Sequence, residues 1–169
     1  MSGDTDAPPG FTVARPVMPG YGIDRAGDLL PWSWALERLT RSHDYWVATT
    51  RPDGRPHAMP VWAVWLSDSL WFSSSRASRK ARNLAANPAV SITTDNAAEP
   101  VVVDGLVEIV TDRSAITEFA EASDAKYDAA YGVEFYASPD NVCVRVQPTS
   151  IFALDSERFT DSPTRWTRR

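Results

Sequence analysis

Between Phe72 and Leu84 the chain reads Phe72-Ser73-Ser74-Ser75-Arg76-Ala77-Ser78-Arg79-Lys80-Ala81-Arg82-Asn83-Leu84, with four cations in the seven residues from Arg76 to Arg82. A strand that leads through a hydroxyl-rich loop into a helix start is suited to an anion. The free N–H groups and the positive end of the helix dipole attract phosphate. Ser78 adds a hydroxyl and Arg79 and Lys80 add charge, while Arg76 and Arg82 carry the positive patch beyond a single phosphate. A solvated basic helix face would have the same composition. Pro60-Val61-Trp62 with Phe72 offers an apolar surface on which a planar ring can lie, although these residue types also fill cores. His57 lies three positions before Pro60, and beside a redox cofactor an imidazole could act as the acid that protonates a substrate; a histidine at a strand start is also an ordinary surface group.

Other side chains argue for less. Cys143 sits inside Val142-Cys143-Val144 with no second cysteine in the chain, and reads as a strand thiol. Two histidines, His43 and His57, are too few soft ligands for a zinc site, so no metal is expected. No nucleophile triad or paired-carboxylate pattern is visible.

The bulk numbers bound the rest. With 169 residues, 43% hydrophobic and 11% aromatic, the chain suits one domain with one core. A net charge of −5 without a basic stripe disfavours nucleic acid. No apolar run approaches the ~20 residues that span a bilayer, and the start of the chain lacks a leader pattern, so a cytoplasmic protein with no membrane partner is expected.

The elements that must position these residues follow from periodicity. Residues 1–30 carry Pro8-Pro9, Gly10, Pro16, Pro19-Gly20 and Gly22 and read as a flexible arm, and deletion up to about Asp28 is expected to leave the fold intact. Trp32 to about His43 has helical spacing. Strands are expected at Tyr45–Thr50, His57–Leu66, Leu70–Ser74, Ala89–Thr93, Val101–Val110 and Asn141–Leu154, the second apolar on both faces and so covered on both. Asp53-Gly54 and Ser67-Asp68 turn the first three into a meander. Ser78 caps a short helix stopped at Asn87-Pro88, Thr111-Asp112 caps a longer one with Ile116, Phe119 and Ala120 inward, and Gly105 bends the long strand. The prediction is a mainly β protein with inserted helices, a barrel of six antiparallel strands over residues 31–158, and a tail at 159–169 without a pattern of its own.

Ser78-Arg79-Lys80-Ala81, Asn83-Leu84 and Asn87-Pro88-Ala89-Val90-Ser91-Ile92, with Asp53-Gly54-Arg55-Pro56 at the first hairpin, resemble the cofactor-phosphate loop, helix and strand of the pyridoxamine 5'-phosphate oxidase-like split β-barrel family. The similarity runs in order from about Tyr45 to Leu154. It implies a split barrel working as a homodimer, with a flavin-type cofactor contacted at the positions of Phe72, Ser73, Arg79 and Lys80. Members that use FMN carry an Arg and a Lys on the second strand, and Pro56-His57-Ala58-Met59-Pro60-Val61-Trp62-Ala63-Val64 has neither. That stretch resembles instead the actinobacterial branch using the deazaflavin coenzyme F420, the B-type flavin/deazaflavin oxidoreductases, in which Pro60, Val61 and Trp62 would meet the cofactor. The implied activity is hydride transfer from reduced coenzyme F420 to a small-molecule substrate. The alternatives are an FMN-dependent oxidase or reductase of the same fold and a non-catalytic cofactor- or haem-binding protein. Thr164-Arg165-Trp166 resembles a tail that closes over the active site in some relatives.

Overall fold

Runs of β-branched and aromatic residues form strands here because every second side chain reaches a shared interior. A computed structural model describes residues 7–18, 20, 21, 23 and 28–169. Its strands are β1 (Phe11–Ala14), β2 (Tyr45–Thr50), β3 (Pro56–Val61), β4 (Ala63–Leu66), β5 (Ser69–Ser75), β6 (Ala89–Thr94), β7 (Val101–Val110), β8 (Asn141–Ala153) and β9 (Thr164–Arg168). The helices are α1 (Trp32–Arg41), α2 (Arg79–Ala86), α3 (Arg113–Tyr127) and α4 (Gly132–Tyr136).

All pairings are antiparallel, in the order β1-β9-β8-β7-β6-β2-β3, with β4 on β5 and β5 on β8. The long strand β8 is the seam. Its first half pairs with β5 and its last residues pair with β9, while β7 follows it throughout. This is the split barrel expected from the sequence. Tyr45, Val47, Phe72, Ile92, Val103, Val144, Ile151 and Trp166 fill the interior, and α1 closes it with Trp32, Ala35 and Leu39. A second cluster lies outside β5 and β8, where Trp71, Val110 and Cys143 pack under Ile116, Phe119 and Ala120 of α3 and Tyr136 of α4.

Gly105 sits where the register of β7 against β8 shifts, and a Cβ there would come within 2.4 Å of the Gln147 carbonyl oxygen. Only glycine fits that approach. Ser67 and Asp68 both take left-handed φ, as a tight two-residue hairpin turn requires.

Three expectations are corrected. The strand read as His57–Leu66 is two, because after Val61 the chain leaves β2 and Ala63 takes up β5 as partner. It is also not covered on both faces, since Ala58, Met59, Pro60 and Trp62 are exposed. Finally, arm and tail are not outside the barrel. Phe11–Ala14 pairs with Thr164–Arg168, Phe11 is buried, and Trp166 lies fully buried against Trp32 at 5.5 Å between ring centroids. The main-chain N–H of Leu30 donates to Thr164 Oγ1 at 2.8 Å. The tail therefore completes the barrel. Such short strands draw their stability from partners more than a hundred residues away, so local periodicity does not reveal them. Residues 1–6, 19, 22 and 24–27 of the expected arm lie outside the described residues.

Candidate functional site

Strand alternation sends the residues of β5 to two places. Leu70 and Phe72 point into the barrel, while Trp71 and Ser73 face α3 and α4. Above Ser73 the second cluster stops short and leaves a cavity of about 250 Å³. Its walls are Pro60, Val61 and Trp62 from the β3–β4 break, Ser73 from β5, Lys80 from α2, Phe119 and Ser123 from α3, and Tyr131, Phe135 and Tyr136 around α4.

The helix start beside it is built as the sequence indicated. Ser78 Oγ accepts from the Ala81 N–H at 3.1 Å and lies 3.0 Å from Ser74 Oγ, and Asn87 ends the helix. Inside the barrel Asn83 Nδ2 donates to Thr49 Oγ1 at 2.9 Å, which ties α2 to β2. The first turn carries no acidic residue to offset the dipole. The side chains of Arg79, Lys80 and Arg82 have no hydrogen bond or ion pair among the described residues. Lys80 alone of the three lines the cavity, and burial holds its amine below the usual lysine range. An unpaired, half-desolvated cation beside free helix N–H groups is a place for an anion.

The structure thus brings together Pro60, Val61, Trp62, Ser73 and Lys80, with Ser78, Arg79 and Arg82 on the adjoining turn and helix surface. It separates the others. The Phe72 ring is wholly buried in the barrel, so a side-chain contact with a ligand is corrected to a core role. Arg76 turns away as well. Its guanidinium donates to the carbonyls of Pro139 and Asn141 at 2.8 and 3.0 Å and borders a different cavity, of about 360 Å³, with Arg113 and Tyr136. His57 is not among the residues around the Trp62 cavity, being three residues up the strand from Pro60, about 10 Å at strand rise.

Sequence reasoning missed the aromatic wall. Tyr131 and Phe135 stack at 4.7 Å, and Tyr136 donates to Ser123 Oγ at 3.0 Å, its hydroxyl held protonated by loss of solvent. The cluster Tyr131, Phe135, Tyr136 was the available signal. Five aromatic side chains with one cation and the hydroxyls of Ser73 and Ser123 can hold a planar, apolar ring with an anionic substituent.

The family model described as pyridoxamine 5'-phosphate oxidase matches residues 35–155. An F420 reductase of known structure is 33% identical over 68% of this chain and 93% of its own, with a TM-score of 0.57. A conserved hypothetical protein from Mycobacterium tuberculosis is 23% identical over 78% of this chain and 89% of its own, with a TM-score of 0.69. General Stress Protein 26 from Bacillus anthracis is 20% identical over 72% and 91%, with a TM-score of 0.59. At those identities the last two attest the fold alone. No curated protein sequence matches the chain.

Proposed function

The chain belongs to the pyridoxamine 5'-phosphate oxidase family, and within it we propose an oxidoreductase that uses reduced coenzyme F420 to transfer a hydride to a small organic acceptor. The observation that carries this reading is the unpaired Lys80 at the mouth of an aromatic cavity beside a capped helix start. The similar F420 reductase supports the choice of deazaflavin. So does β3, which has no cation between Pro56 and Val61 for an FMN phosphate.

In this reading Lys80, Arg79 and Ser78 hold the phosphate end, with Arg82 adding charge toward an anionic tail. Ser73 supplies a neutral hydrogen bond, and Pro60, Val61 and Trp62 present the surface for the ring. The bound cofactor supplies the hydride, and the chain's own work is orientation and exclusion of water. No side-chain nucleophile is required.

The outer face of the sheet favours a homodimer. Trp46, 47% exposed, lies opposite Pro60 in the ladder, and Ala48, Ser91, Asp104 and Leu106, the last 51% exposed, continue the same face. A second copy seated there would border the cavity at Pro60 and complete it.

Titration of the purified chain with coenzyme F420 and FMN, followed by fluorescence, tests the assignment. Lys80→Ala removes one charge-assisted contact worth ~1.5–3 kcal/mol, so affinity should fall about ten- to a hundredfold while the fold stays intact. Tighter binding of FMN with a flavin spectrum would favour the FMN enzyme. Binding without turnover of any acceptor would favour a sequestering protein, and unchanged affinity in Lys80→Ala would place the cofactor elsewhere.

A further inference from the structure

Between Val61 and Ala63 the chain changes partner from β2 to β5, and Trp62 stands at the break. The last two residues of α3 hold this point from outside the barrel. The Tyr127 hydroxyl accepts from the Ala63 N–H at 2.8 Å. Lys126 Nζ donates to the Ala63 carbonyl at 2.9 Å and to the Tyr45 hydroxyl at 2.8 Å. Tyr45 in turn donates to the Leu39 carbonyl at 2.6 Å, so one chain of bonds ties α3 to β4, β2 and α1. The Tyr127 ring lies on the Trp62 indole, 4.4 Å between centroids and 3° from parallel. His43 meets both rings edge-on at 5.3 and 6.1 Å.

Lys126 is a costly residue for a purely structural tie. Among the described residues its amine has no carboxylate within ion-pair distance, Asp44 and Asp95 acting on it only through the longer-range field. Burial pulls it down to about 8, and the groups around it are the phenols of Tyr45 and Tyr127, which burial keeps neutral. A methionine would fill similar space without the loss of solvation. What a methionine would not do is donate to the Ala63 carbonyl.

We propose that Lys126 and Tyr127 clamp Ala63 and thereby fix Trp62 as the wall of the ligand cavity, which makes them positioning residues for the bound ring. The proposal rests on the cofactor reading given above. It assigns a ligand-directed role to α3, an element remote in sequence from the phosphate loop.

The test uses the full chain as wild type, Lys126→Met, Tyr127→Phe, Tyr127→Leu and Lys80→Ala. Each is titrated with coenzyme F420 and FMN, melted thermally, and followed by amide hydrogen exchange at Ala63 without ligand. Lys126→Met should weaken binding about tenfold, the equivalent of one lost charge-assisted bond, while its Tm stays level or rises. A merely structural role predicts that Tm and affinity fall together, and that result overturns the proposal. Tyr127→Leu should release Trp62 and weaken binding more than Tyr127→Phe, which keeps the stack. Exchange at Ala63 should accelerate in Lys126→Met and Tyr127→Leu.

The two ideas fail differently. Wild type that binds neither cofactor, or Lys80→Ala that binds as well as wild type, overturns the cofactor reading. The clamp falls if Lys126→Met and Tyr127→Leu retain wild-type affinity, or if exchange at Ala63 is unchanged in both, a measurement that needs no ligand.

Discussion

On the inner face of β5, Leu70 and Phe72 are wholly buried among Val144, Val146 and Tyr45, whereas on its outer face Trp71 is capped by Phe119 and two residues later Ser73 opens into a cavity. Inside, apolar side chains meet apolar side chains, and the Asn83 amide donates to Thr49 Oγ1 at 2.9 Å. Outside, Lys80 is half-buried with no partner among the described residues, and Tyr131 and Phe135 stand exposed. One strand thus separates a closely packed surface from one that is incompletely packed beside an unpaired charge, and it is on the second that we propose the ligand binds.

The sharpest way to break this contrast is to cut adjacent residues on β5. Phe72→Ala should cost about 3–5 kcal/mol through lost burial and a cavity, while Ser73→Ala should stay within about 0.5 kcal/mol. Urea unfolding of both variants checks it, and similar losses would mean that the two faces are not distinct. Next comes the truncated chain lacking residues 1–28. It loses β1 and the buried Phe11 from the interior, and should be less stable by about 3 kcal/mol. An unchanged midpoint would return this segment to the role of a dispensable arm.

On the outer face Arg79→Ala, like Lys80→Ala, should leave the urea midpoint in place and weaken coenzyme F420 binding. The loss should be smaller than for Lys80→Ala, because Arg79 is exposed and does not reach the cavity. Equal losses would show that the phosphate sits on the helix surface instead of at the cavity mouth.

The smallest effect is the pH response of Lys126. Its folded value of about 8 lies below the usual 10.5 because burial removes water from the amine. The unfolded chain therefore binds the extra proton between these values, and this residue makes stability rise with pH from about 8 upward. Cys143, pushed up to about 11, and Tyr127, pushed up to about 12, act in the opposite sense as the unfolded thiol and phenol ionise. The difference in unfolding free energy between wild type and Lys126→Met isolates the lysine. It should move in favour of wild type by on the order of 1 kcal/mol between about pH 7 and about pH 10, the full shift being reduced by solvent screening. A difference independent of pH would remove the desolvated amine from the account.

Much of this was legible in the chain itself. Ser78 reads as a cap because a serine before a helical run has N–H groups to satisfy, and Asp112 reads likewise. The period-two runs from Tyr45 to Thr50 and from Val101 to Val110 specify strands, and Gly105 marks the bend in the second, where the register against β8 shifts. In each case the determining interaction lies within a few residues along the chain, or within a face that alternation defines.

Tertiary structure decided the rest, because the deciding partner lay far off in sequence. Nothing near Phe11 indicates that it pairs with Arg168, and nothing near Trp62 indicates that Tyr127 stacks on it and that Ala63 is gripped by α3. Arg76 and Lys80 look alike in a basic run, yet carbonyls of Pro139 and Asn141 use up the first, while the cavity beneath Tyr131 and Phe135 receives the second. Charge and periodicity are properties of residues and are carried by the sequence. Whether a charge is left unpaired, or a ring left uncovered, depends on which distant surface folds against it.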